Sequence, residues 1–178
     1  FHNLKMSIKN GLSMAMCGIP WWNSDIGGFF SGDIESDYFR ELIVRWFQFG
    51  VFCPVMRLHG SRRRESTYKY RHPGIIEPSN GANELWSFGE KVYPILKSLI
   101  ELRCRLRDYT CKYMDIASET GAPIMRPMFW DYYDDEYTYT LEDQYMYGED
   151  ILFAPIYEQG CTERDVYLPK GEWIDVRT

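Results

Sequence analysis

The sequence contains little of what nucleic-acid-binding or membrane-spanning proteins require. It has 20 lysine and arginine residues against 26 acidic residues, so its net charge is -6 and its pI is about 5.1. An acidic balance argues against nucleic-acid binding, which usually depends on a basic surface. No apolar run approaches the roughly 18 residues of a membrane-spanning helix, and no secretory signal is visible. We therefore expect neither a nucleic-acid partner nor a membrane partner.

Cysteine and histidine are also sparse. Five widely spaced cysteines, an odd number, argue against a disulfide framework. No C-x-x-C pair occurs, and none of the three histidines stands at zinc-finger spacing. Because no P-loop or Ser-His-Asp arrangement is visible either, we expect no metal and no cofactor. Cys17 and Cys53 lie in apolar runs and are predicted to be buried.

Hydrophobic and aromatic residues, by contrast, are plentiful. Of the 178 residues 45% are hydrophobic, which predicts a globular chain with a core of its own. Aromatic residues make up 17% of the chain and include 14 tyrosines. Aromatic rings stack on sugars, but they more commonly build cores. Composition alone therefore gives only weak support to carbohydrate binding.

The chain is organised around the stretch from Pro20 to Phe30. An apolar run over residues 14–22 leads directly into Asp25 and the pair Gly27-Gly28. This pattern predicts a buried strand and then a tight turn, where glycine permits a positive φ or a close backbone approach. Asp25 would follow the C-terminal end of that strand, where α/β barrels have their active sites. An acid before two glycines is, however, more often an ordinary turn residue.

The elements around this stretch predict an α/β organisation. A short helix is expected to end near Gly11 or soon after, before the first strand. Apolar residues at a 3.6-residue period predict a helix over 36–49, and a second buried strand is predicted over 51–58. A strand, a helix and a strand in that order favour a βαβ unit with parallel strands. Residues 60–83 predict a long loop, and its arginine run 62–64 is expected to be a solvated edge.

The pattern changes in the second half of the chain. A long helix is predicted over 84–119, with Pro94 as either a kink or the start of a second helix. No helix alternates with the apolar segments after Gly121, so a separate β-rich domain is expected to begin there. Its predicted elements are a strand over 124–130, a strand pair within 144–157 and a hairpin within 164–176.

Five residues are candidates for a sugar-binding site. Asp25 and His59 each follow a predicted strand, and neighbouring parallel strands would bring both to one edge, where they could bond sugar hydroxyls. Arg57 points to the same side as His59, although a structural ion pair is as plausible as a substrate contact. Trp22 and Phe29 could line the pocket, but core packing is about equally plausible for them. A complete pair of catalytic carboxylates is not visible.

A series of motifs covers nearly the whole chain. Its members are Gly18-Ile19-Pro20-Trp21-Trp22, Asp25-Ile26-Gly27-Gly28-Phe29, Arg45-Trp46-Phe47-Gln48-Phe49-Gly50 with Pro54, Arg57-Leu58-His59-Gly60, Leu102-Arg103 with Leu106-Arg107, Gly121 to Pro127, Gln144 to Pro155, and Val166-Tyr167-Leu168-Pro169 with Gly171 and Trp173. In this order they resemble glycoside hydrolase family 31, the α-glucosidases and α-xylosidases.

The resemblance implies a partial (β/α)₈ TIM barrel, the last strand–helix units, followed by the start of an all-β sandwich domain. Residues 1–120 would be the C-terminal part of the catalytic barrel, and residues 121–178 the start of the next domain. The family hydrolyses α-linked sugars with retention, using an aspartate nucleophile and an aspartate acid/base. Both are expected upstream of Phe1, so no residue here is assigned to the chemistry and the isolated chain is expected to be inactive.

Carried over by position, Asp25 and His59 resemble the family's residues that bind the sugar in the −1 subsite, and Arg57 resembles the arginine of the same motif. The implied partner is an oligosaccharide or glycoside substrate with a terminal α-linked xylose or glucose. The pair Trp21-Trp22 and the form Arg-Leu-His-Gly favour bacterial α-xylosidases. The alternatives are a transglycosylase or lyase of the same fold, or a non-catalytic carbohydrate-binding module.

Overall fold

The computed structural model describes residues 1–29, 32–60, 62 and 82–176, so most of the predicted 60–83 loop, with Arg63 and Arg64, lies outside the described residues. The helices are α1 (His2–Met16), α2 (Asp37–Val51), α3 (Tyr93–Arg105), α4 (Arg107–Thr120) and α5 (Met128–Asp131). The strands β1 (Met125–Pro127), β2 (Tyr145–Tyr147) and β3 (Ile151–Phe153) form one antiparallel sheet in the order β1-β2-β3. Turns of 3₁₀ helix cover Leu85–Phe88 and Glu136–Thr140.

Helix α1 is longer than predicted, and the strand predicted over 14–22 is wrong. The helix continues past Gly11 to Met16, and residues 17–24 contain no regular strand. Its buried side chains, Leu4, Ile8, Leu12 and Ala15, follow a helical spacing, whereas Met14 and Met16 face solvent. The apolar run is therefore the exposed end of a helix followed by an extended segment. Cys17, predicted to be buried, is exposed just after the helix.

Helix α2 matches its prediction closely. The Ser36 hydroxyl accepts a hydrogen bond of 3.2 Å from the backbone N–H of Phe39 and so caps the helix. An apolar stripe from Phe39 to Phe49 is buried in the core. The strand predicted over 51–58 is mostly wrong, because α2 runs on to Val51 and an irregular turn follows.

The predicted long helix is divided in two. Pro94 is the second residue of α3, where its missing N–H costs no hydrogen bond, so the second of the two alternatives for Pro94 is the one observed. The backbone breaks at Leu106, where α3 ends and α4 begins. Helix α4 ends at Gly121, whose φ of 80° is the left-handed conformation of a helix C-cap.

The β-rich segment confirms the predicted strand pair. Strands β2 and β3 flank Gly148, and β1 covers only part of the predicted strand over 124–130 because α5 begins at Met128. In the described residues 164–176, the strands of the predicted hairpin do not form and no strand pairing is present. There the side chain of Gln144 accepts from the N–H of Tyr167 at 2.9 Å and donates to its carbonyl at 2.7 Å.

Tyrosines and Arg103 join the sheet to the helices. The Arg103 guanidinium donates to the carbonyls of Val51, Cys53 and Pro54 and to the hydroxyl of Tyr147, at 2.7–2.9 Å. Tyrosine hydroxyls make further contacts across the same junction: Tyr145 with Phe52, Tyr109 with Tyr147, and Tyr113 with Glu149. Burial raises the pKa of Tyr147, although Arg103 opposes that shift. Much of the tyrosine content is therefore structural.

Replacing Arg103 by methionine should destabilise the fold by about 2–4 kcal/mol, because buried carbonyls lose their charged donor. Urea unfolding followed by tryptophan fluorescence measures this loss. The matched control is Arg105→Met on the same helix, where the exposed side chain should change stability by less than about 0.5 kcal/mol. Equal losses in both variants would contradict the role given to Arg103.

Candidate functional site

Two segments run side by side near the end of α2. Asp25 and Arg57 form a parallel bridge, in which the N–H of Ile26 donates to the carbonyl of Arg57 at 3.1 Å. Earlier in both segments, the N–H of Val55 donates to the carbonyl of Trp22 at 3.3 Å. The two segments are therefore parallel neighbours, as the βαβ order predicted, although neither forms a regular strand.

The side chains of the bridged residues form an ion pair. Nε of Arg57 lies 3.6 Å from Oδ1 of Asp25. The arginine side chain is 48% exposed and the aspartate 22% exposed, so solvent screens the pair. Its contribution to stability is below about 1 kcal/mol. Both groups remain open to a ligand.

Phe29 and His59 meet farther along the same two segments. Their ring centroids are 5.2 Å apart and the ring planes are inclined by 47°. Phe29 is 38% exposed and His59 is half-buried. The structure thus pairs Asp25 with Arg57 and Phe29 with His59, at one end of two adjoining segments.

Trp22 does not belong to this group. Its ring lies where a Cβ of Gly11 would be, so it fills the space that the glycine leaves on α1. The Phe49 ring is 6.3 Å away, and Trp22 packs against the core. Of the two interpretations of Trp22, core packing is the one observed. Its neighbour Trp21 is 52% exposed.

Glycines bring the two turns into contact. Gly27 and Gly28 have φ angles of 83° and 81°, and the N–H of Gly28 donates to the carbonyl of Asp25 at 2.8 Å. Gly60 has a φ of 134°, and a Cβ on it would lie 2.7 Å from the carbonyl oxygen of Gly28. The prediction of a positive φ at the first pair is confirmed.

Arg62 is the residue that sequence reasoning missed. It was predicted to lie on a solvated edge, yet it is only 4% exposed. Its guanidinium donates to the carbonyls of Ile26, Gly28 and His59, and its Nε donates to Oδ1 of Asn83 at 3.0 Å. Burial lowers its pKa to about 10, with Asp25 opposing the shift, so it stays cationic at neutral pH. A run of three arginines gives no local signal that the first is buried.

A groove in the described structure lies away from these residues. It has a volume of about 770 Å³ and separates α1 from residues 137–144 and 164–167. Its charged groups pair with one another: Lys9 with Glu142 at 2.6 Å and Arg164 with Asp143 at 2.8 Å. The groove therefore contains ion pairs between segments of the chain, and none of the five predicted site residues lines it.

Two features are absent from the described residues. No group of three or more histidine, cysteine, aspartate or glutamate side chains there could hold a metal ion. None of the helices in those residues is both long and apolar enough to cross a membrane. The five cysteines are free, and burial raises the pKa of the Cys53 thiol.

Family models match both parts of the chain. The model of the glycosyl hydrolases family 31 TIM-barrel domain matches residues 1–113, and that of the family 31 C-terminal domain matches residues 121–178. Among solved structures, a family 31 α-xylosidase from a soil metagenome, complexed with xylose, is 53% identical with a TM-score of 0.82. The match covers 92% of this chain and 25% of the α-xylosidase. A Flavobacterium johnsoniae dextranase complexed with isomaltotriose is 39% identical, also with a TM-score of 0.82; the match covers 98% of this chain and 19% of the dextranase.

Curated relatives are similar over nearly the whole chain. An α-xylosidase of Saccharolobus solfataricus is 36% identical over 98% of the chain, and an α-glucosidase of Bacillus thermoamyloliquefaciens is 35% identical over all of it. The chain spans about a fifth of their length, 22% and 20% respectively. The matches divide the chain into part of a TIM barrel and part of the C-terminal domain, and the second part contains the antiparallel sheet. The chain therefore belongs to glycoside hydrolase family 31.

Proposed function

We propose that the chain is the substrate-binding segment of a retaining α-glycosidase that removes terminal α-linked xylose or glucose from oligosaccharides. The observation that carries the proposal is the parallel pairing of Asp25 with Arg57, beside the contact of Phe29 with His59. A carboxylate and an imidazole bond sugar hydroxyls, and an aromatic ring accepts the C–H face of a sugar. The α-xylosidase relatives, one of them complexed with xylose, support xylose as one substrate.

Asp25 has the surroundings of a binding group rather than of a catalytic pair. Retaining hydrolysis uses two carboxyl groups about 5–5.5 Å apart. Within the described part of the chain, the contacts of the Asp25 carboxylate are with arginine, and the partner at 3.6 Å is Arg57. We therefore assign the nucleophile and the acid/base to a part of the barrel outside residues 1–178. Asp25 and His59 would hold the sugar, with hydrogen bonds that strengthen as oxocarbenium character develops.

We also propose a boundary at Gly121, with residues 1–120 in the barrel and residues 121–178 in the following domain. Helix α4 ends at that glycine, and the match to the C-terminal domain begins there. The contacts of Arg103 with Tyr147 and of Tyr145 with Phe52 would then lie between the two domains.

Glycosyl transfer is the second candidate. An isomaltosyltransferase of Sporosarcina globispora is 34% identical over 98% of the chain. Transfer and hydrolysis share the sugar-binding residues and differ in whether a sugar hydroxyl or water attacks the intermediate. Product analysis in the presence of a sugar acceptor therefore separates them: a longer oligosaccharide indicates transfer, and free xylose or glucose indicates hydrolysis.

The full-length protein should hydrolyse aryl α-xyloside or aryl α-glucoside, and the 178-residue chain should not. In the full-length protein, Asp25→Ala should lower kcat/KM roughly 30- to 1,000-fold, because a charged contact to sugar hydroxyls is lost. This corresponds to a loss of about 2–4 kcal/mol of transition-state stabilisation. Asp134→Asn, which changes an exposed acid, is the control and should keep wild-type kinetics. Turnover by the 178-residue chain, or near-wild-type kinetics of Asp25→Ala, would overturn the assignment.

Arg57→Met distinguishes a substrate contact from a structural ion pair. Since the pair is solvent-screened, stability should fall by less than about 1 kcal/mol. If the guanidinium also bonds the sugar, kcat/KM should fall at least about tenfold, as for a lost charged hydrogen bond. Steady-state kinetics and thermal unfolding of the same preparation measure both effects. Unchanged kinetics would leave Arg57 as a structural partner of Asp25 only.

A further inference from the structure

Arg62 contacts both turns of the candidate site and the segment before α3. Its two terminal nitrogens reach the carbonyls of Ile26 at 2.6 Å and His59 at 3.3 Å, and also that of Gly28. Its Nε is held by the Asn83 side chain at 3.0 Å. The planar guanidinium fork is suited to this task, because it offers several donors in a fixed geometry.

The turns need such a donor because regular pairing stops beside them. The N–H of Ile26 donates to Arg57 in the parallel bridge, but the carbonyl of Ile26 points to Arg62. Gly28 and Gly60 approach too closely for a side chain at residue 60. Buried carbonyls in irregular backbone require a partner, and Arg62 supplies it for both turns at once.

The surroundings of Arg62 fix its position. The guanidinium carbon lies 5.3 Å from the centroid of the Phe39 ring on α2. A Cβ on Gly27 would lie 3.0 Å from one of its terminal nitrogens. The cation is thus enclosed between α2 and the turn that follows Asp25, and a displacement of Arg62 would displace that turn.

We propose that Arg62 is a positioning residue that sets the separation and orientation of Asp25 and His59 for the sugar. The proposal rests on the proposed function, since it assumes that these two side chains bind substrate. Arg62 acts through the backbone of the turns, and the reacting atoms are left to other groups. Lysine keeps the charge but lacks the fork, so it cannot hold the carbonyls of both turns in the same geometry.

The test is a double-mutant cycle in the full-length protein, with whichever aryl glycoside it hydrolyses. Arg62→Lys should lower kcat/KM roughly 10- to 100-fold, mainly through kcat, because misplaced groups bind the transition state less well. In the Asp25→Asn background, Arg62→Lys should lower the logarithm of kcat/KM by less than half as much as it does in the wild type, because Arg62 acts partly through Asp25. Additive effects, or wild-type kinetics of Arg62→Lys, would overturn the proposal.

Arg126→Lys is the matched control. Arg126 is 3% exposed and also donates to a backbone carbonyl, that of Pro123 at 2.7 Å, but it contacts neither turn. Its effect should be additive with Asp25→Asn. If Asp25→Asn alone has wild-type kinetics, Asp25 does not bind the sugar and the proposed function is wrong. If Asp25→Asn is impaired and the cycle is additive, only the role of Arg62 fails.

A second pair of variants decides the matter if Arg62→Lys does not fold. Asn83→Ala removes the acceptor that holds Nε of Arg62, and should lower kcat several-fold with little change in KM. Asn83→Asp keeps an acceptor oxygen and should restore most of the activity. Equal kinetics of these two variants, at whatever level, would contradict the proposal.

Discussion

Buried carbonyl groups of irregular backbone must find hydrogen-bond donors, and in this chain arginine supplies them. Arg62 serves the two turns of the candidate site, and Arg103 serves the turn after α2. Arg164 donates to the carbonyls of Asp143 and Pro155, where the predicted hairpin has no ladder. Long-range arginine contacts thus replace the regular pairing that short, irregular segments cannot provide. The positions of Asp25 and His59, the proposed sugar-binding residues, depend on the same contacts.

Parts of the helices could be predicted from sequence because their determinants are local. The apolar stripe of α2, Pro94 at the start of α3 and Gly121 after α4 each act within one or two turns of chain. The end of α1 and the break at Leu106 were not predicted. The segment 14–22 could not be predicted in this way. A helix end and an extended stretch there form one continuous apolar run, and only the exposure of the methionines separates them.

The part of the candidate site that follows from chain order could be predicted from sequence. The part that depends on contacts between residues distant in sequence could not. Because α2 connects the two segments, their parallel arrangement places Asp25 beside Arg57. Nothing local to Arg62 indicates that it turns inward, since its contacts with Ile26, Gly28 and Asn83 span 21 to 36 residues of sequence. Trp22 was undecided between core and pocket for the same reason, since the space that it fills is left by Gly11, eleven residues earlier on α1.

The junction of Arg103 with Tyr147 has a consequence for how such proteins can evolve by recombination. Arg103 lies in the segment that matches the barrel model, and Tyr147 in the segment that matches the C-terminal model. Tyr145 likewise reaches across to the carbonyl of Phe52. A crossover near Gly121 would place one parent's arginine against the other parent's sheet. A chimera would therefore keep this junction only if both parents carried the same arginine and tyrosines.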